Sequence, residues 1–291
     1  MRFFNKIIIS NFAKYLFSMR YVTVLLLSLI LFSSCSEYQK VLKSEEVGPK
    51  YEMAKELYEK GVETDKNRYF NKSMRLFDQI LPQYRGKPQG ETVTYMNANA
   101  YYLSGDYFTA AHLFERFTQS YPTSQKSEEA LFKSAKSYYE VSPVYSLDQS
   151  QSLKALAKLQ IYIDTYTEGK HFDEANVLVA ELQEKIDKKY YEIAKQYHHT
   201  ERYKAAIEAL DNYILDYPGT DYKEKAYFYK YESAYLLAIN SLRVLVEERL
   251  KEAKNYGEDY LRYYPEGEFA EEAQTYFDDI NKRLKEKVYE N

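Results

Sequence analysis

The chain has 291 residues, 34 of them Tyr and 15 Phe, with no Trp and only 9 Gly and 7 Pro. So few turn residues exclude a large all-β protein, and the abundant apolar material argues against disorder. The formal charge is −4, and setting aside Arg2, Lys6, Lys14 and Arg20 leaves 36 cations against 44 acids, near −8. A body that acidic lacks the basic stripe a nucleic-acid partner requires.

Residues 1–34 carry those four cations and no acid. Tyr21 to Phe32 is an apolar run of 12 residues, too short for a membrane-spanning helix and of the length of a signal-peptide core. It runs into Ser33, Ser34 and Cys35, the only cysteine, so no disulfide can form within the chain. The pattern resembles the bacterial lipobox, in which small residues precede a cysteine that is lipidated and becomes the new N-terminus. Met19 is an alternative start, and an ordinary cleaved signal peptide is the competing reading. Ser36, where an Asp would resemble an inner-membrane retention signal, points to the outer membrane. The absence of an acidic run after it points to a body facing the periplasm. Residues 35–49, ending in Gly48-Pro49, read as a lipidated tether.

From residue 50 the chain repeats itself. Tyr107, Ala110, Phe114, Phe117 and Tyr121 fall at offsets 0, 3, 7, 10 and 14, followed by Pro122; Tyr203, Ala206, Leu210, Tyr213 and Tyr217 do the same, followed by Pro218. These offsets keep one face of a helix, and the proline stops it. Holding the register fixed locates three more copies. They are Phe70, Ser73, Phe77, Ile80, Tyr84; Ser152, Ala155, Leu159, Tyr162, Tyr166; and Leu250, Ala253, Gly257, Tyr260, Tyr264. The predicted helices lie near 68–84, 106–121, 150–166, 202–217 and 243–264. Each should be the second of a pair. Small residues upstream (Gly61, Ala98, Ala135, Ala194, Ala234) mark the first helices, with Tyr101, Tyr138 and Tyr197 following three of them. Extra residues around Ser142-Pro143 lengthen the third pair's turn, and His171 to Ile186 extends the first helix of the fourth. Residues 268–290 read as a polar capping helix.

A small residue, then Tyr, then Tyr-x-x-Ala and a closing Pro resembles the tetratricopeptide (TPR) pattern. The implied fold is all-α: a right-handed superhelical array of about five TPR-like helix pairs over 50–291 with a C-terminal capping helix. The copies are spaced 37, 45, 51 and 47 residues apart, longer than the usual repeat of about 34. A lipoprotein signal, five elongated pairs and a recurrent Tyr-Pro ending together resemble the BamD (YfiO) family, most strongly in Ala98 to Thr123 and Ala194 to Thr220. That resemblance implies an outer-membrane lipoprotein of the barrel assembly machinery. It would bind the POTRA domains of an Omp85-type barrel assembly protein and unfolded outer-membrane β-barrel proteins.

No Gly-rich phosphate loop, G-x-S-x-G element or convergent metal-ligand set is visible, so neither catalysis, a metal nor a cofactor is expected. His198, His199 and Glu201 are too few and too poorly spaced for a metal site, and His112 with Glu115 reads as a solvated pair. Function should then reside in surfaces. Residues beside the packing positions of the first helices are candidates for a peptide or partner groove: Tyr95, Asn99, Tyr102, Phe132, Lys136, Tyr139, Tyr191, Lys195 and His198. Tyrosine offers flat apolar area and a hydroxyl at low entropic cost, although the same residues could cover neighbouring repeats. Two other readings stand beside this one. A glycan-binding lipoprotein is disfavoured by the lack of Trp, and a periplasmic hydrolase by the lack of a catalytic constellation.

Overall fold

A computed structural model describes residues 37–287, so the signal segment, Cys35 and the last residues of the cap lie outside the described residues. Every regular element within it is a helix. The chain divides into two compact units, Met1–Asp106 and Tyr107–Asn291. The boundary falls between the two helices of the second repeat.

The first unit holds α1 (Glu37–Lys43), α2 (Val47–Thr64), α3 (Asn67–Tyr84) and α4 (Gly90–Ser104). The residues of α1 were expected to be tether. They fold because Tyr38 has an apolar place to go: it is buried with Ala54, Leu76, Phe77 and Val93, and its hydroxyl donates to the Lys72 carbonyl at 3.3 Å. In α2, Gly61 permits the close approach that the repeat requires. A Cβ there would lie 2.6 Å from the buried Phe70 ring.

The second unit holds α5 (Tyr107–Ser120), α6 (Ser127–Glu140), α7 (Ser150–Thr165), α8 (Phe172–His199), α9 (Tyr203–Asp216), α10 (Lys223–Ile239), α11 (Arg243–Tyr263) and α12 (Ala270–Glu286). Within it each helix packs against the next along the chain, and α10 also touches α8 and α12. The all-α expectation holds. So does the register: offsets 3, 7 and 10 are buried in all five copies, and offset 14 is half-buried at the end of each second helix. One expected packing residue departs. Tyr197 is exposed, because its face of α8 has no helix against it.

What repeats most strictly is the turn after the second helix. The N–H at offset 17 donates to the carbonyl of the offset-14 tyrosine in every copy: Lys87 to Tyr84, Ser124 to Tyr121, Gly169 to Tyr166, Thr220 to Tyr217 and Gly267 to Tyr264, at 2.9 to 3.3 Å. The next helix then begins at offset 20 without exception, at Gly90, Ser127, Phe172, Lys223 and Ala270. All variation in repeat length therefore falls inside the pairs.

In the last three copies the offset-10 tyrosine locks this turn from beneath. The Tyr162 hydroxyl donates to Glu128 Oε1 (3.1 Å) and accepts the His171 N–H (3.0 Å). The Tyr260 hydroxyl donates to Glu224 Oε1 (3.0 Å) and accepts the Phe269 N–H (3.2 Å). Tyr213 meets Thr220 Oγ1 at 2.7 Å. Glycine stands at offset 17 in two of these turns, where a Cβ would crowd the Tyr162 hydroxyl and Glu128 at Gly169 and Glu224 at Gly267. Removing the Tyr260 hydroxyl would leave the Glu224 carboxylate and the Phe269 N–H without it. Tyr260→Phe should therefore lower stability by about 1–3 kcal/mol in chemical denaturation, whereas Tyr264→Phe at the rim of the same turn should change it little.

Candidate binding faces

Several residues expected to line a groove belong instead to the packing, for a reason the turn supplies. The residue at offset 19, which caps the next helix, is aromatic in the last three copies and stacks on a first-helix ring. His171 lies 4.2 Å from Phe132 with planes 2° apart, Tyr222 lies 5.0 Å from Tyr191, and Phe269 lies 4.3 Å from Phe228. Phe132 is accordingly 3% exposed and Tyr191 1%. Burial pushes the Tyr191 phenol well above its ordinary range, and its hydroxyl finds no hydrogen-bond partner among the described residues. Tyr95 and Asn99 are also buried, and Asn99 Nδ2 donates to the Tyr58 hydroxyl at 2.6 Å. These four are corrected from groove contacts to packing residues. The aromatic at offset 19, His171 for Phe132 and Tyr222 for Tyr191, is the sequence feature that accounts for two of them.

The remaining candidates are partly exposed and held by neighbours. Tyr102 is half-buried at the end of α4. Lys136 Nζ pairs with Glu174 Oε1 at 2.6 Å and lies 5.9 Å from the centre of the Phe132 ring. The Tyr139 hydroxyl donates to Glu181, which together with burial pushes it up to about 12. Lys195 Nζ sits over two rings, 4.8 Å from that of Tyr229 and 5.5 Å from that of Tyr191. Nor is Glu115 merely solvated: it accepts from Lys158 Nζ at 2.5 Å and from the Tyr138 hydroxyl, and the lysine bond holds its carboxyl below the usual range.

His198 turns inward to a partly buried polar cluster that joins α8, α10 and α12. Ser233 Oγ donates to the Tyr229 carbonyl at 2.6 Å, so it accepts from His198 Nδ1, which lies 3.0 Å away. His198 Nε2 then faces Glu232 Oε2 at 3.3 Å, and one proton must lie between them. On the far side Glu232 Oε1 lies 3.1 Å from the Tyr276 hydroxyl, which also lies 2.6 Å from Glu272 Oε1. One phenolic hydrogen cannot serve both carboxyls. Burial, reinforced by the charges of His199 and Lys195, holds His198 below its ordinary 6.5. Burial, reinforced by the Glu272 charge, lifts Glu232 above its ordinary 4.5. Both shifts work against a charged imidazolium–carboxylate pair at this site.

Residues 50–248 match the family described as YfiO, outer membrane lipoprotein. This chain belongs to that family. A YfiO relative, the putative outer membrane protein assembly factor BamD of Aquifex aeolicus (strain VF5), is 25% identical over 239 residues, covering 81% of this chain and 76% of its own. Among solved structures, the DHF58 filament is 17% identical over 84% of this chain and 94% of its own, with a TM-score of 0.15. The de novo designed helical repeat protein DHR64 is 16% identical over 86% and 98%, with a TM-score of 0.14. Scores this low carry no argument, and the family match stands on sequence.

This partly buried cluster makes stability depend on pH in two opposed ways. A depressed His198 contributes stability above pH 6.5 that is lost as the pH falls through its folded value, while a raised Glu232 contributes stability below pH 4.5 that is lost as the pH rises through its own. Glu232→Gln keeps the shape and stays neutral throughout. Its denaturation midpoint, compared with the parent near pH 5 and near pH 8, should rise relative to the parent at the higher pH. A relative fall there would mean that Glu232 is ionised and paired to an imidazolium.

Proposed function

We propose that this chain is a periplasm-facing scaffold of the machinery that assembles β-barrels in the outer membrane, attached through a lipidated Cys35. The observation that carries the reading is the match of residues 50–248 to outer membrane lipoproteins of the YfiO family; the relative named as an assembly factor directs it to assembly. Among the described residues no helix is long and apolar enough to cross a membrane, and in this reading the acyl chains supply the attachment. Each buried methylene adds about 0.8 kcal/mol, and two or more chains make anchoring stable.

The partners are the POTRA domains of an Omp85-type barrel assembly protein and unfolded outer-membrane β-barrel proteins. The mechanism is holding and positioning, without a cofactor and without bond making or breaking. Attachment to one membrane raises the effective concentration of both partners, so that modest affinities suffice. Faces that hold their shape through the stacked caps suit this role, because a rigid scaffold orders little of itself on binding.

Cys35→Ala should shift the protein from the membrane fraction to the soluble periplasmic extract; unchanged attachment would overturn the anchor. Purification from detergent-solubilised outer membrane should bring an Omp85-type protein with it. Depletion should lower the levels of many outer-membrane β-barrels together, and unchanged levels would count decisively against assembly.

A further inference from the structure

Helix α8 has a second face, opposite the one that carries Tyr191, Lys195 and His198. Lys189, Ile193 and Tyr197 follow one another at four-residue spacing along it and so stand on one side of the helix. Ile193 is 48% exposed and Tyr197 37%. Beside them runs the long turn between α6 and α7, residues 141–149, which presents Val144 and Leu147 at 63% and 58% exposure.

This turn is fastened down. The buried Gln149 donates from Nε2 to the carbonyls of Val144 (2.9 Å) and Leu147 (3.0 Å). From α8, Lys189 Nζ donates to the Leu147 carbonyl (2.7 Å) and Lys185 Nζ to Ser142 Oγ (2.7 Å). Lys188 Nζ sits 4.6 Å from the centre of the Tyr145 ring. The Tyr145 ring thus forms a fixed wall, and Ile193 with Tyr197 forms the floor of a cleft of about 510 Å³. That volume lies within the range of about 300–1,000 Å³ typical of specific binding clefts.

The charge of the cleft runs against that of the chain. Among the residues that line it, Lys189 and Arg202 outnumber Glu192, although the formal net charge of the chain is −4. Asp148 is turned onto the Ser150 amide at 3.0 Å. Arg202 is exposed and makes no ion pair among the described residues. A cation left in water beside exposed apolar area favours a ligand with a carboxylate next to a bulky apolar group. Gln196 also lines the cleft, and its amide can both donate to and accept from a main chain.

We propose that this cleft docks an extended peptide segment, with an aromatic or aliphatic side chain against Ile193 and Tyr197 and an acidic side chain beside Arg202 and Lys189. The site goes beyond the assembly reading and does not rest on it.

The test is fluorescence anisotropy on the full-length protein in detergent. The probe is a short fluorescein-labelled peptide carrying Phe and Asp in a Ser-rich background, and its control has Lys in place of Asp. The Asp peptide should bind at least about tenfold more tightly than the Lys peptide, and Ile193→Asp should weaken it by about tenfold. Arg202→Glu should weaken the Asp peptide and strengthen the Lys peptide. Both positions are exposed, so both variants should keep the parent's helical circular dichroism and melting. Equal binding of the two peptides, or binding unchanged by both variants, would overturn the proposal. So would phosphatidylglycerol vesicle binding that disappears in Ile193→Asp while neither peptide binds. A parent dimer that becomes monomeric in Ile193→Asp would overturn it too, because the face would then join two copies. None of these outcomes bears on assembly, which is read from barrel levels in cells.

Discussion

The constraint on which the rest of this structure depends is the turn that leaves each second helix. An offset-14 tyrosine ends the helix and its carbonyl takes the N–H three residues on; the next helix starts three residues after that. Because this segment has one length and one hydrogen-bond pattern, the step from each second helix to the next first helix is the same in all five copies. In the last three copies the offset-10 hydroxyl ties this turn to the buried layer below. The tie replaces water on a half-buried main chain, where an unmet N–H is costly. The second copy has Phe117 at offset 10 and no hydroxyl there; Ser127 Oγ donates instead to the Tyr121 carbonyl at 2.6 Å.

The same turn decides which aromatic rings are available to a partner. Its last residue caps the next helix, and an aromatic there stacks on a ring of the first helix of the pair just completed. The stacks of His171, Tyr222 and Phe269 each contribute about 0.5–1.5 kcal/mol beyond the area they bury, and they remove Phe132 and Tyr191 from any binding surface. A chain with 34 tyrosines thus spends many of them on itself. The tyrosine hydroxyl explains the preference over Phe at offset 10, since a ring that fills the layer and also satisfies a turn needs one polar atom at its tip.

Much of this was legible in the sequence because helical packing has a period. The five copies, their buried offsets and the small residues at Gly61 and Ala135 follow from the 3-4 spacing of apolar positions. The groove was less legible. Placing Phe132 or Tyr191 on a free face required knowing what lies nine residues beyond the offset-10 tyrosine of the following helix, a non-local contact with no periodicity. The same holds for His198. On sequence it paired with its neighbour His199, while in the fold it faces Glu232, whose distance along the chain gives no signal. Tyr38 failed for the opposite reason: in a short polar stretch next to a signal segment, one aromatic is too little pattern to predict a helix, yet it is enough apolar surface to pin one.

Fixing the turns between pairs also explains where new surface can arise. An insertion between pairs would break the offset-20 rule and shift every later helix, so added residues are tolerated only inside a pair. The chain uses that freedom in three successive pairs, and two of the additions meet: the long α6–α7 turn and the 28 residues of α8. Neither addition alone makes a site. A long turn without a support is a mobile loop, and an overlong helix without a neighbour is a solvated rod. Packed side by side, the helix supplies the lysines that fasten the turn, and the turn supplies the aromatic wall that the outer face of the helix lacks. The irregular repeat lengths are therefore not decay of an ideal array. They are the one place where a fold held to a fixed junction can gain a cleft without losing its register.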